Sequence, residues 1–141
     1  MKPSLILFPT ILALAASAIG KPPYPPELPD AREEVYKTID DTKLKLWIFE
    51  PKGHKKSDKR PAVVFFFGGG WRAGTPGQFE MQCKYLASRG MVAMTADYRV
   101  SSRNGTKATA CVEDGKSAVR WIRKNAEKLG VDPAKIAASG G

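Results

Sequence analysis

From Ala62 to Phe67 the chain runs through six apolar residues with no polar alternation, preceded by Pro61 and followed by Gly68-Gly69-Gly70. Such a run reads as a strand buried on both faces of a sheet, with helices covering it. The glycines after it let the backbone turn sharply and present bare N–H groups to a ligand. A glycine-rich turn at the C-terminal end of an inner strand is where open α/β sheets place their binding crevice. The rest of the chain is read as support for this loop.

With 43% apolar residues in 141, the chain can form a packed core, which excludes an intrinsically disordered segment. Near the start, Lys2 precedes an apolar run from Leu5 to Ala16 and then Ala16-Ser17-Ala18, a small-x-small cleavage pattern. This fits a secretory signal peptide over residues 1–20, cut near Ala18 or Gly20. The run is shorter than the ~20 residues a membrane span needs, and Pro9 interrupts it, so export is expected and a stable membrane anchor is not. Five of the 11 prolines fall between Pro22 and Pro29, which predicts an extended, unpacked linker over 21–32 before a domain at 33–141.

Within that domain, Val35, Lys37 and Ile39 alternate with Tyr36 and Thr38, as Leu44, Leu46 and Ile48 do with Lys45 and Trp47. With Asp40-Asp41-Thr42 between them they predict an antiparallel hairpin with one buried face, outside the inner strand. Lys52 to Arg60 carries five basic residues and the only histidine, His54. No aromatics interleave with these charges, so the stretch reads as a solvated loop and not as a nucleic-acid platform. His54 has no apolar neighbours in sequence to bury or orient it, and is read as a loop residue, not a catalytic base.

Beyond the glycines, Phe79, Cys83, Leu86 and Gly90 predict a helix over 78–89, and Met91 to Ala96 a second buried strand ending in Asp97-Tyr98-Arg99. Residues 101–107 read as a polar loop. A long helix is then expected, capped by Thr109, carrying Val112, Gly115, Val119, Ile122, Ala126 and Leu129 on one face, with Glu113 and Asp114 in its first turns. Gly130 closes it, Val131-Asp132-Pro133 makes a turn, and Ile136 to Ser139 begins a third buried strand. A hairpin followed by β-α-β-α-β is an α/β sheet. Cys83 and Cys111 fall on successive helices, leaving a disulfide and two buried thiols both open. Asp97, Arg99 and Asp114 read as structural ion pairs near a buried sheet. No Cys/His cluster has metal-ligand spacing.

In this order the motifs resemble the α/β-hydrolase superfamily, in the branch of acetyl and feruloyl esterases and hormone-sensitive-lipase-like enzymes. Phe67-Gly68-Gly69-Gly70-Trp71 is similar to that branch's oxyanion-hole motif, with Phe67 where the family usually has histidine. Asp97-Tyr98-Arg99, the helix opening around Asp114 to Arg123, and Gly130 to Ile136 leading to Ser139-Gly140-Gly141 follow the same pattern. The resemblance implies an oxyanion hole at Gly69 and Gly70, and it makes Gly140 and Gly141 the first part of a Gly-x-Ser-x-Gly nucleophile elbow. Trp71 either lines the acyl or alcohol pocket or anchors the loop by packing.

The implied reaction is hydrolysis of a small-molecule or carbohydrate ester, without cofactor or metal. The nucleophilic serine would come directly after Gly141, and the acid and histidine further downstream. The expectation is therefore an N-terminal half truncated at the elbow and inactive by itself. Ser139 is read as a strand residue and not as the nucleophile.

Two other functions fit parts of the pattern. A non-catalytic binding scaffold would use the same fold without a triad. A dinucleotide site would use Gly68 to Ala73 as G-x-G-x-x-A with Asp97 on the ribose. It would require a helix to begin within the glycines, and Pro76-Gly77 postpones the helix to about Gln78.

Overall fold

The computed structural model describes Gly20 and residues 23–141. The apolar stretch and cleavage pattern read as a signal peptide lie outside the described residues. Among the described residues the strands and α-helices are β1 (Arg32–Ile39), β2 (Thr42–Phe49), β3 (Arg60–Phe66), α1 (Glu80–Ser88), β4 (Val92–Ala96), α2 (Ser101–Asn104), α3 (Ala108–Lys124), α4 (Ala126–Leu129) and β5 (Val131–Gly140), with short 3-10 turns at Lys56–Asp58 and Pro76–Phe79. They build one mixed five-stranded sheet in the order β1-β2-β4-β3-β5. The hairpin β1–β2 joins antiparallel to β4, while β4, β3 and β5 run parallel.

The chain moves from β3 to β4 in one direction across the sheet, then from β4 past β3 to β5 in the other. The helices of these two crossovers accordingly cover opposite faces. On one face Val64, Met94, Leu46 and Ile48 pack with Ala118, Ile122 and Leu129 of α3 and α4. On the other, Val63, Phe65, Ala93 and Trp47 pack with Cys83 and Ala87 of α1. Adjacent residues of β3 thus serve different cores, which is why this strand needs an unbroken apolar run. Cys83 and Cys111 belong to different clusters and both are free thiols, so no disulfide joins the two helices.

In β1 the buried side chain is Tyr36, while Val35 is 42% exposed. The pairing register slips between Val35 and Lys37, and such a bulge re-aims the side chains on either side of it. Nor does β2 have one polar face, since Trp47 and Phe49 are as buried as Leu46 and Ile48. Residues 101–104, expected as loop, form the one-turn helix α2. Helix α3 starts at Ala108 after Lys107, not from a Thr109 cap, and it breaks at Asn125 before α4. Its buried stripe is Cys111, Asp114, Ala118 and Ile122, rotated by about one residue from the expected face, which leaves Val112 half exposed. Strand β5 is not buried: it is the edge of the sheet among the described residues, and Ala137 to Gly140 are exposed.

The proline-rich stretch is no unpacked tether. Pro26 and Leu28 are buried, Leu28 against the α1 face of the core, and Asp30 pairs with Lys84 of α1 at 2.7 Å. His54 is likewise held firmly, with its side chain only 5% exposed. Its Nε2 lies 2.8 Å from the carbonyl oxygen of Leu129, and its Nδ1 lies 3.5 Å from Asp58. His54→Ala should lower stability by about 1–2 kcal/mol, through lost packing and an unpartnered carbonyl at the end of α4. Urea unfolding would measure it. Among the described residues, no helix is long and apolar enough to cross a membrane.

Candidate active site

After β3 the chain places Phe67 in the core and then turns through Gly68, Gly69 and Gly70. The carbonyl of Gly69 accepts from the N–H groups of Arg72 and Ala73 at 3.1 and 3.3 Å, so the loop folds back on itself. That closure demands glycine at position 69. Its φ is +139°, and a Cβ there would lie 2.1 Å from the carbonyl oxygen of Ala73. Gly68 donates its N–H to Oε1 of Gln78 at 2.6 Å, which fixes the first peptide of the loop. Among the described residues, the N–H groups of Gly69 and Gly70 donate to nothing.

Parallel pairing with β3 brings the end of β5 to this loop. Phe65 pairs with Ser139 and Phe66 with Gly140, and Gly141 donates its N–H to the carbonyl of Phe66 at 3.3 Å. A Cβ on Gly68 would lie 2.9 Å from the carbonyl carbon of Gly141, and one on Gly140 would lie 2.6 Å from the oxygen of Phe66. The two glycine stretches, remote in sequence, touch because neither carries a side chain. Ser139 sits within β5, as expected.

Beside them opens a cavity of about 580 Å³. Phe66, Phe67, Tyr98, Gly140 and Gly141 line it on the sheet side, and Val112, Val119, Arg120 and Arg123 line it on α3. Trp71 stands at this cavity, 56% exposed. Its φ is +60°, a left-handed conformation that is costly for a bulky residue and is found mainly where function needs it.

The segment after β4 holds the loop in place. The Tyr98 ring stacks on Phe67 with centroids 4.0 Å apart, and its hydroxyl donates to the Phe67 carbonyl. Burial pushes the Tyr98 hydroxyl up to about 12, so it stays a neutral donor at physiological pH. The N–H groups of Ser101 and Ser102, at the start of α2, donate to the carbonyls of Trp71 and Arg72 at 3.1 and 3.0 Å. Gln78, Tyr98 and α2 carry this support; of these, only Tyr98 stands in a motif visible in the sequence, Asp97-Tyr98-Arg99, and its role as a prop is not marked there. A glutamine or a serine backbone has no periodicity that would mark it.

The expected ion pairs are present. Asp114, fully buried, receives Arg99 Nε and Nη2 at 2.8 and 3.0 Å and Lys37 Nζ at 2.6 Å. Burial alone would raise its carboxyl, but Arg99 and Lys37 outweigh it and hold the group below the usual aspartate range. Asp97 is also buried, and there desolvation prevails, so its carboxyl lies above that range.

Chemically, the assembled part of the site offers free backbone donors at a glycine turn, beside a strand end and a cavity that is apolar on the sheet side and carries Lys116, Arg120 and Arg123 on α3. His54 plays no part in it. It packs at the N-terminal end of β3, and seven residues of strand at ~3.3 Å each put roughly 20 Å between it and the glycine loop. Among the described residues no helix begins within the glycines either, because a 3-10 turn starts only at Pro76 and α1 only at Glu80. That removes the geometry a dinucleotide site requires.

Comparison with known proteins agrees with this geometry. An esterase from the Planctomycetes species Thermogutta terrifontis, solved with butyrate bound, is 58% identical, with a TM-score of 0.84 over 86% of this chain and 44% of its own. A second structure of that enzyme, esterase 2 phosphorylated by paraoxon, matches at the same 58% identity with a TM-score of 0.84 over 86% of this chain and 46% of its own. Carboxylesterase NlhH of Mycobacterium tuberculosis is 31% identical over 84 residues, which are 59% of this chain and 26% of that protein. The chain thus spans less than half the length of these esterases. The BD-FAE family profile matches residues 46–141, from the middle of β2 to the last glycine. This chain belongs to the BD-FAE family, and its sheet is the N-terminal half of an α/β-hydrolase fold.

Proposed function

We propose that this chain is the N-terminal half of an exported serine carboxylic-ester hydrolase. One observation carries the reading. The strand end at Gly140-Gly141 abuts a glycine loop whose Gly69 and Gly70 N–H groups are unengaged among the described residues. A serine following Gly141 would stand on a strand-to-helix elbow beside those donors. Its attack on an ester carbonyl would form a tetrahedral oxyanion, and each preorganised donor to such an oxyanion lowers the barrier by roughly 3–4 kcal/mol. Collapse expels the alcohol and leaves an acyl-serine, which water then hydrolyses with help from an acid and a histidine supplied downstream.

The relatives support the same chemistry: one is named a carboxylesterase, and the Thermogutta terrifontis esterase is seen both with butyrate bound and phosphorylated by paraoxon. Covalent phosphorylation by an organophosphate requires a nucleophile on that relative, in keeping with the serine proposed here. The substrate is a small-molecule ester, and the acetylated or feruloylated carbohydrates of the family resemblance are its proposed class. Trp71, exposed at the cavity, is the proposed contact for the acyl or alcohol group. Export rests on the apolar run and cleavage pattern before Gly20.

The first test is the coding sequence beyond the codon for Gly141. A frame continuing Ser-x-Gly, followed by an acid and a histidine, is expected, and a stop codon there would overturn the catalytic reading. Residues 21–141 by themselves should hydrolyse p-nitrophenyl acetate no faster than a Gly69→Pro control.

A further inference from the structure

Among the side chains around the glycine loop, Arg103 makes an unusual set of contacts. It lies in α2, 19% exposed, and its Nη1 donates to the carbonyl of Gly74 at 2.6 Å. Nη2 lies 3.4 Å from Oδ1 of Asp97. The guanidinium carbon sits 3.8 Å over the ring centroid of Tyr24 and 5.7 Å from that of Phe67. Tyr24 in turn donates its hydroxyl to Oδ2 of Asp97 at 2.6 Å. The proline-rich segment, the end of β4, α2 and the glycine loop therefore meet on one planar cation.

Gly74 is the point at which the loop closes on its own beginning. With φ at +118°, it packs so near Gly68 that a Cβ would stand 2.4 Å from the Gly68 carbonyl oxygen. That oxygen belongs to the same rigid peptide plane as the N–H of Gly69. A shift of Gly74 would therefore bear on the Gly68 carbonyl, and any rotation of the Gly68–Gly69 peptide would turn the Gly69 N–H with it.

We propose that Arg103 is a positioning residue for ester hydrolysis: by holding Gly74 it sets the direction of the Gly69 N–H, and Tyr24 and Asp97 hold Arg103. The inference rests on the esterase reading above. It needs arginine specifically, because one flat fork must reach the Gly74 carbonyl and Asp97 while stacking on Tyr24, and a lysine ammonium cannot do both. It also gives the proline-rich segment a role in the site, by way of Tyr24.

The test uses the product of the complete gene, with kcat and KM measured on p-nitrophenyl butyrate and functional sites counted by paraoxon titration. Arg103→Met should lower kcat per titrated site about 30-fold and leave KM within about threefold, since a misdirected donor weakens only the transition state. A purely structural role would lower the number of titrated sites and leave kcat per site unchanged. Tyr24→Leu, at a side chain 43% exposed, should lower kcat about fivefold, and it decides the matter if Arg103→Met does not fold. A kcat per site within twofold of wild type, or a loss confined to KM, would overturn the inference while leaving the esterase reading intact. A wild-type protein that neither hydrolyses the ester nor titrates would overturn both.

Discussion

In the product of the complete gene, Gly69→Ala should lower kcat by about 10²–10³-fold on a p-nitrophenyl ester, the cost of losing one oxyanion donor. The cause is steric and local. A Cβ at this position would lie 2.1 Å from the Ala73 oxygen, inside any tolerable contact, on a backbone whose φ of +139° side chains rarely adopt. The tight turn closed by Arg72 and Ala73 must open, and the free N–H turns away with it. Gly70→Ala is the informative contrast, because its Cβ would meet nothing within 4 Å and its φ of +59° is left-handed but attainable. That variant should lose about tenfold or less, in line with a left-handed strain of roughly 1–2 kcal/mol. Steady-state kinetics on both variants, with circular dichroism to establish the fold, makes the comparison. Equal losses at the two positions would argue against a directed donor at Gly69.

The largest effect on stability is expected from Asp114→Asn, about 3 kcal/mol at neutral pH, near the low end for breaking a buried ion pair because both cations are partly exposed. Asp114 is fully buried and joins three elements, with Lys37 from β1, Arg99 from the end of β4, and its own helix α3. The amide would leave two cations facing a neutral group. The pH dependence has a definite sign. A carboxyl held below its unfolded value adds stability that is fully present above the ordinary aspartate range, and this stability is lost as pH falls through the folded value. The gap between wild type and Asp114→Asn should therefore be widest near neutrality and shrink in acid, below about pH 4. Guanidinium unfolding of both proteins between pH 3 and 7 would trace it, and a gap independent of pH would dissociate Asp114 from the effect.

Where the sequence was readable, one physical signal acted alone. Ala62 to Phe67 is apolar without interruption because successive residues of β3 face two different cores and Phe67 enters a third cluster. Asp40 and Asp41 lie in the turn between β1 and β2, and Gly130 caps α4 in the left-handed region. Misreadings arose where two signals competed. On α3, hydropathy favoured Val112, yet the helix turns Asp114 inward, since Arg99 and Lys37 can neutralise it there. Val35 outranks Tyr36 in apolar character, but Tyr36 can bury its ring and still donate its hydroxyl to the Asp97 carbonyl at 2.6 Å. The prolines at 22–29 favour an extended chain, and an extended chain can still pack, as Leu28 does.

The sequence by itself determined the α/β architecture, the place of the glycine turn at the end of an inner strand, and the kinship carried by Gly68 to Trp71 and Gly140-Gly141. These follow from local properties: unbroken hydrophobicity, freedom at φ, and spacing along the chain. Only the tertiary structure decided that Gly68 and Gly141 touch, that Tyr98 and Arg103 hold the loop from behind, and that Asp114 is the buried node between β1 and β4. Those relations depend on which strands become neighbours and on which charge finds a partner once water is excluded. Parallel pairing of β3 with β5 brings residues from distant parts of the chain into hydrogen-bonding contact, Gly141 N–H on the Phe66 carbonyl at 3.3 Å, a relation that no local property of either segment encodes.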